Sequence, residues 1–335
     1  LQQEFPKLSI TELDNYTLFK PSELPFAISE IPDTFSSFRK HLSQPGELNL
    51  SSVPKALPSI PKGIETLEQS ATRLTLQELD ELAVSNLGQF NTQNEKRAFV
   101  GGERAAMTHL SEYFASDAPA TYKETRNQLE GEQFSSKLSL FLSQGCISVL
   151  KVLQHIRHYE QTRVKNESTK WLSMELLWRE YFQWLALKIG PQLYYFKGNA
   201  HSKPLTSFYP ERFKKWCEGE TPYHIVNACM KELKQTGYIS NRSRQIVASA
   251  LVNELGVDWR YGAAWFESCL SDYDVAVNWG NWQYIAGVGA DPRGGRHFNL
   301  TKQTELFDPQ GHYRTKWAGK NIPQTLDSQD YVGWP

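Results

Sequence analysis

An all-α fold is what this sequence predicts, on three observations. From residue 101 onward, apolar side chains recur with a period near 3.6 residues. Alternating strand patterns are almost absent from the same stretch. Proline is concentrated instead in residues 1–95, where Pro21, Pro25, Pro32, Pro45, Pro54, Pro58 and Pro61 forbid long helices and favour extended connections. The expected organisation is a Pro-rich segment over 1–96 that wraps over a domain, a helical domain over 97–320, and a polar tail over 321–335.

Taken in order, residues 34–42 and 75–84 predict short helices inside the Pro-rich segment. That segment shows no strand–turn–helix repetition, so no dinucleotide-binding α/β unit is expected in it. Residues 103–115 place Ala106, Leu110 and Phe114 at i, i+4 and i+8. Residues 148–160 and 169–189 keep the same period. Residues 243–255 carry Ile246, Val247, Ala250, Leu251 and Leu255 on one face and stop at Gly256, a residue suited to a helix C-terminus. A further helix is predicted over 261–270, and no internal repeat is evident.

The 335 residues exceed the size at which single cores usually divide. With 40% hydrophobic and 13% aromatic residues the chain is not a disordered one, and Lys+Arg 36 against Asp+Glu 37 exclude a protein basic all over. A local basic cleft stays open. Cys146, Cys217, Cys229 and Cys269 lie far apart, without a CxxC or a nearby His set, and read as free buried thiols in a reducing compartment. His155 and His158 share a helix face but lack a third ligand, so no metal site is expected. No apolar run is long enough to span a bilayer, and the first residues are no signal peptide, so the expectation is a soluble, cytoplasmic protein. The chain opens without Met and is read as a piece of a longer protein.

The densest chemistry lies in residues 272–284, DYDVAVNWGNWQY. Two carboxylates, three amides and four large aromatics fall within these thirteen residues. Buried carboxylates and amides are costly unless something hydrogen-bonds them. A bound molecule with a polar edge and a flat apolar face, such as a flavin, suits the mixture; two helices joined by an aromatic turn suit it equally. Ser135, Ser136, Lys137, Leu138 and Ser139 put three hydroxyls and an ammonium before an apolar run, which reads as an anion site at a helix N-terminus or as an ordinary Ser cap. Glu175, Trp178, Arg179 and Phe182 share one helix face, lining a pocket or forming an intrahelical ion pair beside a core Trp. Arg242 and Arg244 stand in a first helical turn, where the dipole disfavours cations; one can pair with Asp272 or Asp274 and the other can reach a phosphate. Arg293, Arg296, His297 and Lys302, with Lys197, Lys203, Arg212, Lys214 and Lys215, are read as a basic patch around an aromatic cleft or as solvated loops.

In this order, SSKLS, ELLWREYF, TGYISNRSRQ, VDWRYGAAWFE, DYDVAVNWGNWQY and RHFNLTKQ resemble the flavin-binding helical domain of the photolyase/cryptochrome family, in the style of its cryptochrome DASH subgroup. The resemblance covers about residues 97–320. The α/β antenna domain that the family carries ahead of this point is not in the chain, so a folate or deazaflavin antenna is not expected on it.

The resemblance implies FAD in a folded-back shape. Tyr122 and Ser135 to Ser139 would meet its phosphates. Asp272, Tyr273 and Asp274 would meet the flavin edge and adenosine end, Arg244 would bridge to Asp272, and Asn278 would face the flavin N5. Glu175, Trp178, Asn241, Gln245 and Tyr284 would line a cavity for a pyrimidine dimer. Arg126, Arg179, Phe182, Arg242, Arg296 and Gln303 would contact a DNA strand. Trp282 and Trp259 would relay electrons; the third Trp of that relay has no counterpart in residues 205–210, where Tyr209 is the candidate. The implied activity is blue-light repair of cyclobutane pyrimidine dimers, with single-stranded DNA favoured by Gln245 and Tyr284 where many relatives carry Met and Trp. The alternative is a flavin photoreceptor or DNA-binding regulator without repair.

Overall fold

The structure, a computed structural model, describes residues 16–42, 100–131, 134–290, 294–318 and 326. The chain divides into two compact parts, Leu1–Leu48 with Val100–Pro335, and Asn49–Phe99. The described residues all belong to the first part, so the helix expected at 75–84 lies outside them. Among the described residues there is no strand, only an isolated parallel bridge between Ser207 and Val257.

Short 3-10 turns at Pro21–Glu23 and Ile28–Glu30 lead into α1 (Phe35–His41), capped by Thr34, whose hydroxyl accepts from the Ser37 amide. Then come α2 (Glu103–Ala115), α3 (Ala118–Thr125), the five-residue α4 (Ser139–Ser143) and α5 (Val149–Thr162), which Ser148 caps. The long α6 (Glu167–Ile189) starts two residues before the periodic signal. Asn166 accepts from the Ser168 and Thr169 amides, while the Thr169 hydroxyl accepts from the Asn166 amide, so the first turn is satisfied from both sides. α7 (Pro210–Glu218) and α8 (His224–Thr236) both stop at a left-handed glycine.

The helix expected over 243–255 is two pieces. α9 (Asn241–Ser249) runs into a π-helical turn, Ala250–Glu254, before Gly256 reverses the chain. The Asn253 side chain donates to the Ser249 carbonyl at 3.0 Å, occupying the acceptor that the Asn253 amide would use in a regular helix. α10 (Trp259–Cys269) and α11 (Val275–Ala286) follow, capped by Asp258 and Asp274. α12 (Leu300–Phe307) and α13 (His312–Ala318) complete the described helices.

α6 is central: α3, α11 and the N-terminal segment all pack on it. Its Leu176, Leu177, Tyr181, Phe182, Trp184 and Leu185 are buried, so apolar residues occur all round it. The segment 16–42 supplies one cover. Ile31 and Phe38 are fully buried, each stabilising by roughly 2 kcal/mol. Glu180, 0% exposed, accepts from the Leu18 amide at 2.7 Å, the Phe19 amide at 3.2 Å and the Trp184 indole at 2.7 Å. Lys188 donates to the Ile31 carbonyl and the Asp33 carboxylate, both at 2.6 Å. Among the described residues, no helix is long and apolar enough to cross a membrane.

Candidate functional site

A cavity of about 520 Å³ opens beside α6, bounded by α3, α9, α10, α11 and the loop before α4. That is the size range of small-molecule and cofactor sites. Tyr122, Ser135, Ser136, Lys137, Leu138 and Ser139 line it on one side. Arg244, Asp272, Tyr273, Asp274 and Asn278 line it on another.

Its polar anchors are set by local structure. Asp272 sits in the turn before α11 with its side chain 1% exposed, and Arg244 Nη2 donates to both of its oxygens at 3.0 and 2.9 Å. Burial pulls the Arg244 guanidinium down, but Asp272 and Tyr238 outweigh it and its net shift is upward. Asp274 is committed to protein donors. It accepts from the Val277 amide at 3.0 Å, from Gln183 at 2.9 and 2.8 Å, and from the Tyr16 hydroxyl. Asn278, one turn into α11, donates through Nδ2 to the Ala263 carbonyl at 3.0 Å, which leaves Oδ1 as the atom for a ligand.

The Ser135–Ser139 loop departs from expectation. Leu138, not a serine, occupies the cap position of α4 and makes no side-chain cap bond. A helix of five residues has little dipole to offer, so any anion here meets the hydroxyls and Lys137 themselves. Lys137 has φ +52°, the left-handed conformation that non-glycine residues rarely adopt, and Nε2 of His109 pairs with the Ser136 carbonyl at 2.7 Å.

Farther along the same cavity, α6 contributes Glu175, Trp178, Arg179 and Phe182; α9 contributes Asn241 and Gln245; Tyr284, Arg126 and Arg296 complete the rim. The intrahelical pair that spacing allowed is not formed. Glu175 Oε1 meets Arg126 at 2.5 Å and accepts from the Trp171 indole at 2.9 Å, leaving Oε2 for a ligand. Burial raises the Glu175 carboxyl above the usual carboxylate range, against the pull of Arg126 and the indole. Arg179 instead donates to the Tyr16 carbonyl at 2.7 Å. Trp178 lies edge-on to Tyr284, centroids 5.9 Å apart at 75°, and its own ring is backed by Phe35 at 3.7 Å and 15°. Arg296 covers the Tyr284 ring at 4.8 Å and donates to its hydroxyl.

Arg242 and Gln303 are not among the lining residues. Arg242 donates to Asn127 at 2.8 Å and to Gln303 at 3.5 Å, with its guanidinium 5.0 Å from the Phe307 ring. Burial and the nearby Arg126 and Arg296 charges lower it, so three guanidiniums are concentrated at this end. The wider basic patch does not gather round the cavity. Arg212 donates to the Leu255 carbonyl and Lys215 pairs with Glu211, and of that whole set only Arg296 lines the wall; Arg293 lies outside the described residues.

Trp282 lines the cavity, edge-on to Phe266 at 5.2 Å. Gly262 is needed beside it, because a Cβ there would come within 2.2 Å of the indole. Trp259 is fully buried outside the wall, donates to the Phe196 carbonyl at 2.9 Å and meets Trp279 edge-on at 5.8 Å. Tyr209 is 44% exposed beneath Arg212, and Phe208 stacks on Tyr261 at 4.0 Å. Among the wall residues that were not expected from the sequence, two are polar neighbours of the expected set. Trp171 stands four residues before Glu175, a spacing that announces their contact, and Tyr238, raised by burial, lies within the TGYIS stretch.

The donor set suits a long molecule with a flat ring and an anionic middle: a fixed amide, an ion-paired carboxylate, hydroxyls with one ammonium, and apolar walls from Val152, Ile156, Leu172, Phe266 and Leu270. Fold and site define an FAD-binding helical domain. Residues 171–326 match the family model described as the FAD binding domain of DNA photolyase. The chain is 52% identical to a cryptochrome DASH of Idiomarina loihiensis over 100% of its own length and 71% of that protein. It superposes on the Synechocystis cryptochrome with a TM-score of 0.73 at 40% identity, covering 90% of this chain and 61% of that one. A class III photolyase from Agrobacterium tumefaciens gives 0.67 at 27% identity, over 94% of this chain and 64% of the other. The chain belongs to the photolyase/cryptochrome family, among its cryptochrome DASH members, and its cofactor is FAD.

Proposed function

We propose that this chain takes part in light-driven splitting of cyclobutane pyrimidine dimers in single-stranded DNA. One observation carries the reading: Glu175, Trp178, Asn241, Gln245 and Tyr284 line the same cavity as Asp272 and Asn278, so a substrate base and FAD would share one enclosure. A dimer within a duplex must leave the stack to enter it, whereas a single strand spends no pairing energy on flipping.

In this reading Trp178 and Tyr284, at 75° to each other, present aromatic surface to the two pyrimidines. Glu175 directs Oε2 at a base edge while Arg126 and Trp171 hold Oε1. Asn241 and Gln245 each carry a donor and an acceptor for the same edges. Arg126, Arg242 and Arg296 attract the phosphodiester strand, with Arg179, Phe182 and Gln303 beside them. Tyr122 and the Ser135 to Ser139 loop hold the cofactor phosphates, and Asp272 and Tyr273 its ends, with Asp274, taken up by protein donors, fixing the first turn of α11 beside them. When bound and reduced, FAD would supply light-driven one-electron donation. Asn278, oriented by Ala263, presents Oδ1 as an acceptor for a protonated ring nitrogen. Trp282 and the buried Trp259 relay electrons towards the cofactor, with the exposed Tyr209 the candidate for the outer step.

Ultraviolet-irradiated oligo(dT), mixed with the FAD-loaded protein and a reductant under blue light, should recover its thymine absorbance. Glu175→Gln and Trp178→Ala should slow that recovery. An unrepaired substrate beside normal FAD photoreduction would overturn the enzyme reading in favour of a photoreceptor.

A further inference from the structure

α6 has the cavity along one side and the segment 16–42 along another, and one set of contacts crosses between them. Arg179 Nη1 donates to the Tyr16 carbonyl at 2.7 Å, and its guanidinium lies 4.0 Å from the centre of the Tyr16 ring. The Tyr16 hydroxyl donates to Asp274, whose carboxylate also lies 4.0 Å from Arg179. Arg179 and Asp274 line the cavity; Tyr16 does not. Two and three residues beyond Tyr16, the Leu18 and Phe19 amides close on Glu180. Asp274 also caps α11, and Asn278 stands on the next turn.

We propose that Tyr16 is a positioning residue of the FAD site, holding Asp274 and Arg179 from behind so that cofactor retention and the docking of residues 16–19 are coupled. The hydroxyl keeps the Asp274 carboxylate on the first turn of α11, and the ring keeps Arg179 from swinging across the wall. Burial, with the Asp274 hydrogen bond next, pushes the Tyr16 hydroxyl up to about 12, so it remains a donor at any working pH. Coupling between two binding events is reciprocal: a cofactor that prefers the held arrangement must also strengthen the docking of the segment.

The test uses the full chain and needs no DNA, so it stands apart from the repair reading. Tyr16→Phe removes the hydroxyl alone, and Tyr16→Leu removes the ring as well. FAD release, followed by the rise of free-flavin fluorescence on dilution, should be about 5–10-fold faster in Tyr16→Phe, the worth of one ordinary net hydrogen bond. Hydrogen exchange at Leu18 and Phe19 should slow when wild type is loaded with FAD, and slow less in Tyr16→Phe. A purely structural tie would lower the melting temperatures of the free and FAD-loaded forms alike, whereas a positioning residue shrinks the gap between them. If Tyr16→Leu fails to fold, Tyr16→Phe decides. Wild-type release from Tyr16→Phe, or exchange at Leu18 and Phe19 indifferent to FAD, overturns the proposal.

Discussion

Arg244 and Asp272 form a closed pair in the cavity wall, one guanidinium nitrogen reaching both carboxylate oxygens at 3.0 and 2.9 Å. Removing one member of a buried pair strands the other. Asp272→Ala should therefore cost about 3–5 kcal/mol in urea unfolding, and Asp272→Asn, which keeps an acceptor, about 1–3 kcal/mol. Both should emerge from purification with less FAD, read as the ratio of flavin to protein absorbance. Full flavin content in Asp272→Ala would separate the pair from the cofactor.

Phe35 stacks on Trp178 at 3.7 Å, a contact between the N-terminal segment and the cavity wall. Phe35→Ala should cost about 3–5 kcal/mol, of which about 0.5–1.5 kcal/mol is the aromatic pair itself. Phe35→Leu restores most of the buried area without a flat face. Chemical denaturation of both variants isolates the stacking contribution; equal stability of Phe35→Leu and wild type would show it to be negligible.

A methyl group at Gly262 would meet Trp282 at 2.2 Å and Leu251 at 2.5 Å. Gly262→Ala should overpack this corner at about 1–3 kcal/mol. Because Trp282 lines the cavity, its displacement should also weaken FAD binding, measured by flavin titration of the apoprotein. Gly280, whose added Cβ would fall 2.4 Å from the Phe182 ring, is expected to behave in the same way.

Stability should fall as pH rises through the near-neutral range. Burial pushes the Glu180 carboxyl up to about 7 despite three hydrogen bonds to it, and an unfolded Glu titrates near about 4.3. Between those values the folded chain holds a proton that the unfolded chain has released, so stabilisation present at lower pH is lost and levels off above about 7. The decline is on the order of 4 kcal/mol at most for this group. Glu232, also pushed to about 7 chiefly by burial, acts with the same sign. Urea unfolding at intervals from pH 5 to pH 8 checks it; a rise across that window would contradict the account.

What the sequence disclosed was local. The period of Ala106, Leu110 and Phe114 located α2, and Ser148 and Gly256 marked helix ends because capping acts within a few residues. The π-helical turn was hidden, since it depends on one side chain, Asn253, competing for a backbone acceptor. In the site, the four-residue spacing of Trp171 and Glu175 carried their contact in the sequence, yet it went unread. The pairing of Arg244 with Asp272 was foreseen from a family pattern, not from spacing. Arg126 with Glu175, and Arg179 with Tyr16, join residues far apart in the chain and leave no periodic trace. The polar loop 135–139 was found by composition, while its weak helix N-terminus could be judged only from the length of α4.

The way Leu18, Phe19 and Phe35 lie on α6 bears on where this protein can be cut. A fragment begun at residue 97, the expected start of the helical domain, would retain every cavity-lining side chain yet strip Glu180 of its backbone donors and Trp178 of its backing ring. Such a truncation would uncover an apolar stripe and a stranded acid on one long helix, an invitation to aggregate.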